Sequence, residues 1–264
     1  MTGPAGYKVA MVSRRPTPIR RRKRTSAATP KPSRALEIFG LPAPLELRES
    51  ARATRMTLKV DPGRDLIQVV IPVGVSERDA RSFIGRHLVW LRARMAALPP
   101  PLPFIDGAVI PVRGVDHTVR WVADLRGPTR IEDGAILVGG LPDHTTRRVR
   151  DFLVSEAKRE IGARARVKAA LIGARIAAIT LRDTKSRWGS CSSTGRLSFS
   201  WRLILAPDSV LDYVVGHEVA HLQEMNHSPQ FWALCARLTA ELNPDVDTPR
   251  GWLKANGARL LRYG

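Results

Sequence analysis

The period of the apolar positions changes along the chain, and each change marks an element. Thr54, Met56, Leu58 and Val60 alternate with Arg55, Thr57 and Lys59, the two-residue period of a half-buried strand. Asp61-Pro62-Gly63-Arg64-Asp65 reads as a turn and 66–73 as the returning apolar run, so the two make a hairpin. Ser76, with Asp79 at the third helical position, is an N-cap signature. From there Ala80, Phe83, Ile84, His87, Leu88, Trp90 and Leu91 recur at helical spacing up to Ala97, and Pro99-Pro100-Pro101 ends the helix. Further strands are expected at 109–112, 116–122 and 136–138.

Helical periodicity dominates from Pro142 onward. Residues 145–172 read as one long helix with Val149, Phe152, Leu153, Ala157 and Ile161 on its apolar face. The other face carries Arg147, Arg148, Arg150, Lys158, Arg159, Arg164, Arg166 and Lys168, which suits either a solvated surface or a nucleic-acid surface. Strands are expected at 176–181 and 197–205, flanking a loop at 185–195. Asp208 can cap a helix running to about 224, and Ser228-Pro229 can open another reaching about 242. The pattern gives an α+β fold, with a β-rich region at 35–141 and a helical region at 142–264, together forming one compact unit. No internal repeat is evident in the residues.

Charge divides the picture unevenly. The sequence holds 43 basic and 24 acidic residues, a formal net charge of +19. Residues 1–34 hold ten of the basic residues, five prolines and no acid. Such a segment buries too little apolar area to offset its ordering entropy, so 1–34 is expected to be a disordered basic tail. It could bind nucleic acid without sequence preference, or be a solvated extension. No stretch is apolar and long enough to span a membrane, and no apolar segment follows the basic residues as a secretory signal requires. Two cysteines, Cys191 and Cys235, are too few for a disulfide framework. A soluble cytoplasmic protein is the expectation, and the Arg- and Ala-rich composition suits a GC-rich bacterial genome.

The chemistry concentrates in Val215-Gly216-His217-Glu218-Val219-Ala220-His221, followed by His227. Residues four apart on a helix differ by about 40° in rotation and about 6 Å in rise, so His217 and His221 project from one face. Two imidazoles so placed can reach one tetrahedral zinc, and Glu218 beside the first can reach the water on that metal as general base. Asn226 tolerates the left-handed conformation, so the backbone can turn there and bring His227 back as a third ligand. Three imidazoles and a water favour zinc, one per molecule, over manganese or cobalt. The expected activity is hydrolysis of a protein or peptide substrate. The alternative is a DNA-associated protein using the basic tail and the Arg-rich helix, compatible with proteolysis of DNA-bound proteins.

The segment 185–191, Leu205-Ala206-Pro207 and the run from His217 to Trp232 resemble the YgjP-like metallopeptidase family of bacteria, which is similar to the SprT-like proteases. The resemblance is most specific at 184–232 and extends more loosely back to Arg48. It implies a zincin-like fold, with a β-hairpin beside two metal-binding helices. It further implies that His217, His221 and His227 match the family's ligands and Glu218 its catalytic residue. The histidine spacing also equals that of the metzincins, but Glu224 stands where those have glycine, and no methionine follows Met225 to make their Met-turn.

Outside this cluster, Arg187, Trp188 and Ser190 lie between two expected strands that should border the cleft. An extended substrate could add to that edge, and Arg187 could stabilise an oxyanion; equally, Trp188 could pack and Arg187 pair with an acid. Cys191 could be a fourth, inhibitory ligand or a small buried side chain. Glu224 could be an acid behind a ligand or a solvated helix end. Cys235 is expected in the core. His87, His117 and His144 are isolated and receive no role.

Overall fold

The computed structural model describes residues 33–38, 40–41, 43–184 and 187–264. The expected disordered tail lies outside the described residues except for Ser33 and Arg34, and Arg34 already pairs in a strand. The described residues form two compact units that divide at Pro99–Pro100.

In the first unit β1 (Arg34–Ala35), β2 (Leu45–Ser50), β3 (Thr57–Asp61) and β4 (Leu66–Pro72) form a sheet of order β1-β2-β4-β3. The expected hairpin is β3–β4, in register at Val60 and Ile67, with the Asp61 carboxylate accepting from the Gly63 amide at 3.1 Å. Alternation holds along β4, where Ile67, Val69 and Ile71 are buried. They pack with Ala80, Ile84 and Leu91 of two short helices, α1 (Glu77–Gly85) and α2 (Leu88–Ala96). Ser76 caps α1 as expected, accepting from the Asp79 amide. The single helix expected up to Ala97 is broken at Arg86–His87. The His87 ring is drawn onto its own backbone there, with Nδ1 2.7 Å from the Phe83 carbonyl oxygen.

In the second unit β5 (Val109–Val112), β6 (Val115–Trp121), β7 (Arg130–Glu132) and β8 (Ala135–Val138) form a sheet of order β5-β6-β8-β7. Helix α3 (Thr145–Leu171) lays Val149, Leu153, Ala157, Ile161 and Ala165, all fully buried, into a core shared with Ile110, Val119 and Ile136. A third sheet, of order β10-β11-β9, joins β9 (Ala178–Arg182), β10 (Gly189–Cys191) and β11 (Arg196–Ser200). β10 falls inside the expected loop. Residues 201–205, expected to continue the strand, instead coil into a fully buried 3-10 turn before Pro207.

Three helices complete this unit: α4 (Asp208–Ala220), α5 (Pro229–Thr239) and α6 (Asp247–Leu260). α4 is buried along nearly its whole length, and α5 crosses it where Gly216 meets the Thr239 methyl, a contact that leaves no room for a Cβ. α6 was not legible in the sequence pattern. The polar face of α3 is not simply solvated. Lys168 is buried, its ammonium 3.0 Å from Asp212 of α4 and donating to the Leu238 carbonyl of α5. Arg164 donates to Asp208 at 2.7 Å, Arg159 to Glu156 at 2.6 Å, and Arg150 pairs with Asp183 at 3.3 Å. No described helix is long and apolar enough to cross a membrane.

Candidate metal centre

Helix α4 presents His217 and Glu218 in its last turn and ends on His221. The backbone then tightens, with the Leu222 and Gln223 amides donating to Val219 and Ala220, and the Ser228 amide to Asn226. This reversal brings His227 back over α4, one residue before Ser228 caps α5 by accepting from the Phe231 amide. One nitrogen from each of His217, His221 and His227 lies within 4.8 Å of the others, and the Nε2 atoms of His217 and His227 are 3.1 Å apart. The three side chains predicted to converge therefore do so.

Two further contacts orient the rings. His221 Nδ1 lies 2.9 Å from the Glu224 carbonyl oxygen, so Nδ1 donates and Nε2 keeps its lone pair facing the triad. Glu224 thus supports the site through its backbone rather than its carboxylate. His217 Nδ1 is 3.4 Å from the buried Tyr213 hydroxyl. Burial pushes His217 down to about 3, assisted by the neighbouring His221 and His227, and His227 is lowered for the same reasons. Neutral imidazoles are the form a metal requires. The donor set, its spacing and the fixed His221 tautomer fit a divalent ion.

Residues missed by sequence reasoning form the floor. Phe231 is fully buried and lies 4.9, 4.5 and 4.7 Å, centre to centre, from the rings of His217, His221 and His227. Trp232 stacks on His227 at 5.5 Å. Arg250, from α6, lies over the Trp232 ring at 5.1 Å. Phe231 and Trp232 sit in the first turn of a capped helix directly after His227, a proximity that was available as a signal. Arg250 gave none.

Glu218 is 7% exposed, and burial pushes its carboxyl up to about 8, with the Arg187 charge opposing. Its side chain occupies the space where Gly189 of β10 would carry a Cβ: an added carbon would sit 2.5 Å from Glu218 Cγ and 2.6 Å from Oε1. Only glycine lets the strand approach the carboxylate this closely. Trp188 rests on Gly257 of α6, its carbonyl accepting from the Ser200 amide, and Ser190 pairs with Ser198. Arg187 is exposed. Cys191 stands apart from the triad, its thiol donating to the Ser192 carbonyl and raised to about 11 by burial and by the Glu218 charge. Cys235 is buried in the core.

Comparison with known proteins agrees with this geometry. No curated protein and no solved structure matches the sequence. A family model described as YgjP-like, metallopeptidase domain, matches residues 54–256, from the β3 region to α6 and across the whole histidine cluster. The chain belongs to the YgjP-like metallopeptidase family.

Proposed function

We propose that the protein is a zinc-dependent peptidase in which His217, His221 and His227 hold one metal ion and Glu218 is the general base. The observation that carries this reading is the convergence of three imidazole nitrogens within 4.8 Å, on the helix that also buries a carboxylate beside them. All-imidazole ligation favours zinc on ligand type. When bound, that ion supplies Lewis acidity, polarising the substrate carbonyl and making a water acidic near neutral pH.

The protein's own groups do the rest. Glu218, on α4 against β10, ionises beside a bound cation, whose charge opposes the burial that raises its carboxyl, and then accepts a proton from the attacking water and returns it to the leaving amine nitrogen. β10 is the outer strand of its sheet, and an extended peptide can pair along it through backbone hydrogen bonds around Trp188 and Ser190. Arg187, whose charge reaches Glu218, is suited to offset negative charge gathering on the carbonyl oxygen. The DNA-associated alternative loses support at α3, where Arg150, Arg159, Arg164 and Lys168 are all engaged with acids.

Metal content and peptide cleavage test the reading together. About one zinc per molecule is expected in the wild type and in Glu218→Gln, and none in His221→Ala. Both variants should lose at least about a thousandfold in cleavage of a mixed peptide library. Zinc retained by His221→Ala, or cleavage surviving in Glu218→Gln, overturns it.

A further inference from the structure

The side chain of Trp188 is not used by the chemistry just described, yet it joins the strand beside Glu218 to the last helix. Trp188 directly precedes β10, and its carbonyl accepts from the Ser200 amide at 2.8 Å, so it continues the ladder with β11. Successive side chains of a strand point to opposite faces, which puts Trp188 and Gly189 on opposite sides of β10. On one side Gly189 meets Glu218 of α4 with no room for a Cβ. On the other the half-buried Trp188 indole lies in a notch of α6 at Gly257, where an added Cβ would stand 3.1 Å from Cζ2 and 3.7 Å from Nε1. Leu253 and Leu260, buried on the same face of α6, bracket the notch and fix the helix to the core that the indole also touches. Glycine in a helix interior is unfavourable relative to alanine, so the missing methyl at Gly257 calls for a reason, and the indole supplies one.

We infer that Trp188 is a positioning residue: seated at Gly257, it fixes how close β10 stands to α4 and so holds the Glu218 carboxylate in one place beside the triad. β10 is gripped between two helices, with a close contact at a glycine on each side. Pushing the indole out of its notch pushes Gly189 onto Glu218, because close packing leaves neither contact the slack to absorb the movement. The effect on catalysis rests on the peptidase reading; the grip on β10 does not. The competing role for Trp188 is direct contact with substrate, and the two roles part in kinetics. Loss of a substrate contact raises KM whatever stands at position 257. A positioning residue acts on kcat, and its loss can be compensated from α6.

Two substitutions in one helix separate the notch from helix propensity. Gly257→Ala presses on the indole, whereas Gly251→Ala gains the same propensity with nothing within 4 Å of the added methyl. Gly257→Ala should lower kcat about tenfold, since a displacement of tenths of an ångström at the base suffices, with KM and zinc content unchanged. Gly251→Ala should leave all three at the wild-type level. Trp188→Phe, a smaller ring in the same notch, should lower kcat about threefold alone. Combined with Gly257→Ala, which fills the space it leaves, it should return kcat to within about twofold of the wild type. In protein without substrate, the Gly189 amide resonance should move in Gly257→Ala, stay in Gly251→Ala and return in the double variant. The inference is overturned by a Gly189 resonance that Gly257→Ala does not move, or by a loss of kcat that the double variant fails to recover. It is equally overturned if Trp188→Phe raises KM in either background, or if Gly257→Ala cleaves as the wild type does. A Gly189 resonance that moves and returns, in a wild type that cleaves nothing, leaves the grip on β10 standing and removes the peptidase reading.

Discussion

The sheets β1–β4 and β5–β8 have the same topology. Each is four-stranded, and its first two strands are antiparallel. Each then pairs its second strand with its fourth in parallel and its third with its fourth as a hairpin. Each is followed by helix. The two diverge in that helix. After β4 it breaks into two nine-residue pieces whose apolar faces close a small core of their own. After β8 it runs unbroken for 27 residues. At about 1.5 Å per residue, a helix of that length spans about 40 Å, enough to carry Arg164 and Lys168 far beyond the sheet that starts it. Those side chains reach Asp208 and Asp212 of α4, the helix that ends in the histidine cluster. The same sheet frame thus carries two different helical attachments, and in the second unit the long one reaches the helix that bears the histidine cluster.

The largest effect that could break this comparison is at Lys168. Lys168→Met leaves Asp212 buried with its closest cation gone, which should destabilise the second unit by about 3–5 kcal/mol. Hydrogen exchange should show amides of α4 and α5 losing protection while those of β4 and α1 keep theirs. Equal loss in residues 33–99 would mean the two frames do not stand apart. The double variant Lys168→Met with Asp212→Leu should recover most of the loss.

A smaller change sharpens the difference in function. Gly189→Ala places a methyl against Glu218 and should lower kcat about a hundredfold, with zinc content and KM little changed. In the Glu218→Gln background the same substitution should have no further effect. An additive loss would mean that Gly189 matters only to folding. The smallest effect belongs to the first frame. Ser76→Ala removes the α1 cap and should cost about 1 kcal/mol, seen as faster exchange in α1 with zinc stoichiometry unaltered. Lost zinc in that variant would tie the first helix pair to the centre.

The legible parts of the site were those set by local spacing. His217, Glu218 and His221 follow from helical geometry within five residues, and His227 from its place just before the Ser228 cap, although Asn226 does not take the left-handed conformation expected of it. The α1 cap and the β3–β4 hairpin were readable for the same reason. α6 was not, because Pro249, Gly251 and Gly257 dilute its helical pattern and only a few of its side chains are buried. Its place is set by partners distant in sequence, with Trp188 against Gly257 and Arg202 donating to the Leu260 and Tyr263 carbonyls. β10 hid in a loop because three residues carry no period.

By itself the sequence marked the three histidines that converge, the glutamate on the same helix, α3, α4 and α5 among the elements after Pro142, and the family. These depend on residue type and on separations of a few residues, which backbone geometry converts directly into direction. Tertiary structure alone decided that Lys168 points inward to an acid rather than outward to water. It also made Gly189 a contact of Glu218, put Arg250 beside the triad, and gave two unlike stretches of sequence one topology. Each of these joins residues far apart in sequence, where close packing and the pairing of buried charge choose the partner and no local period records the choice.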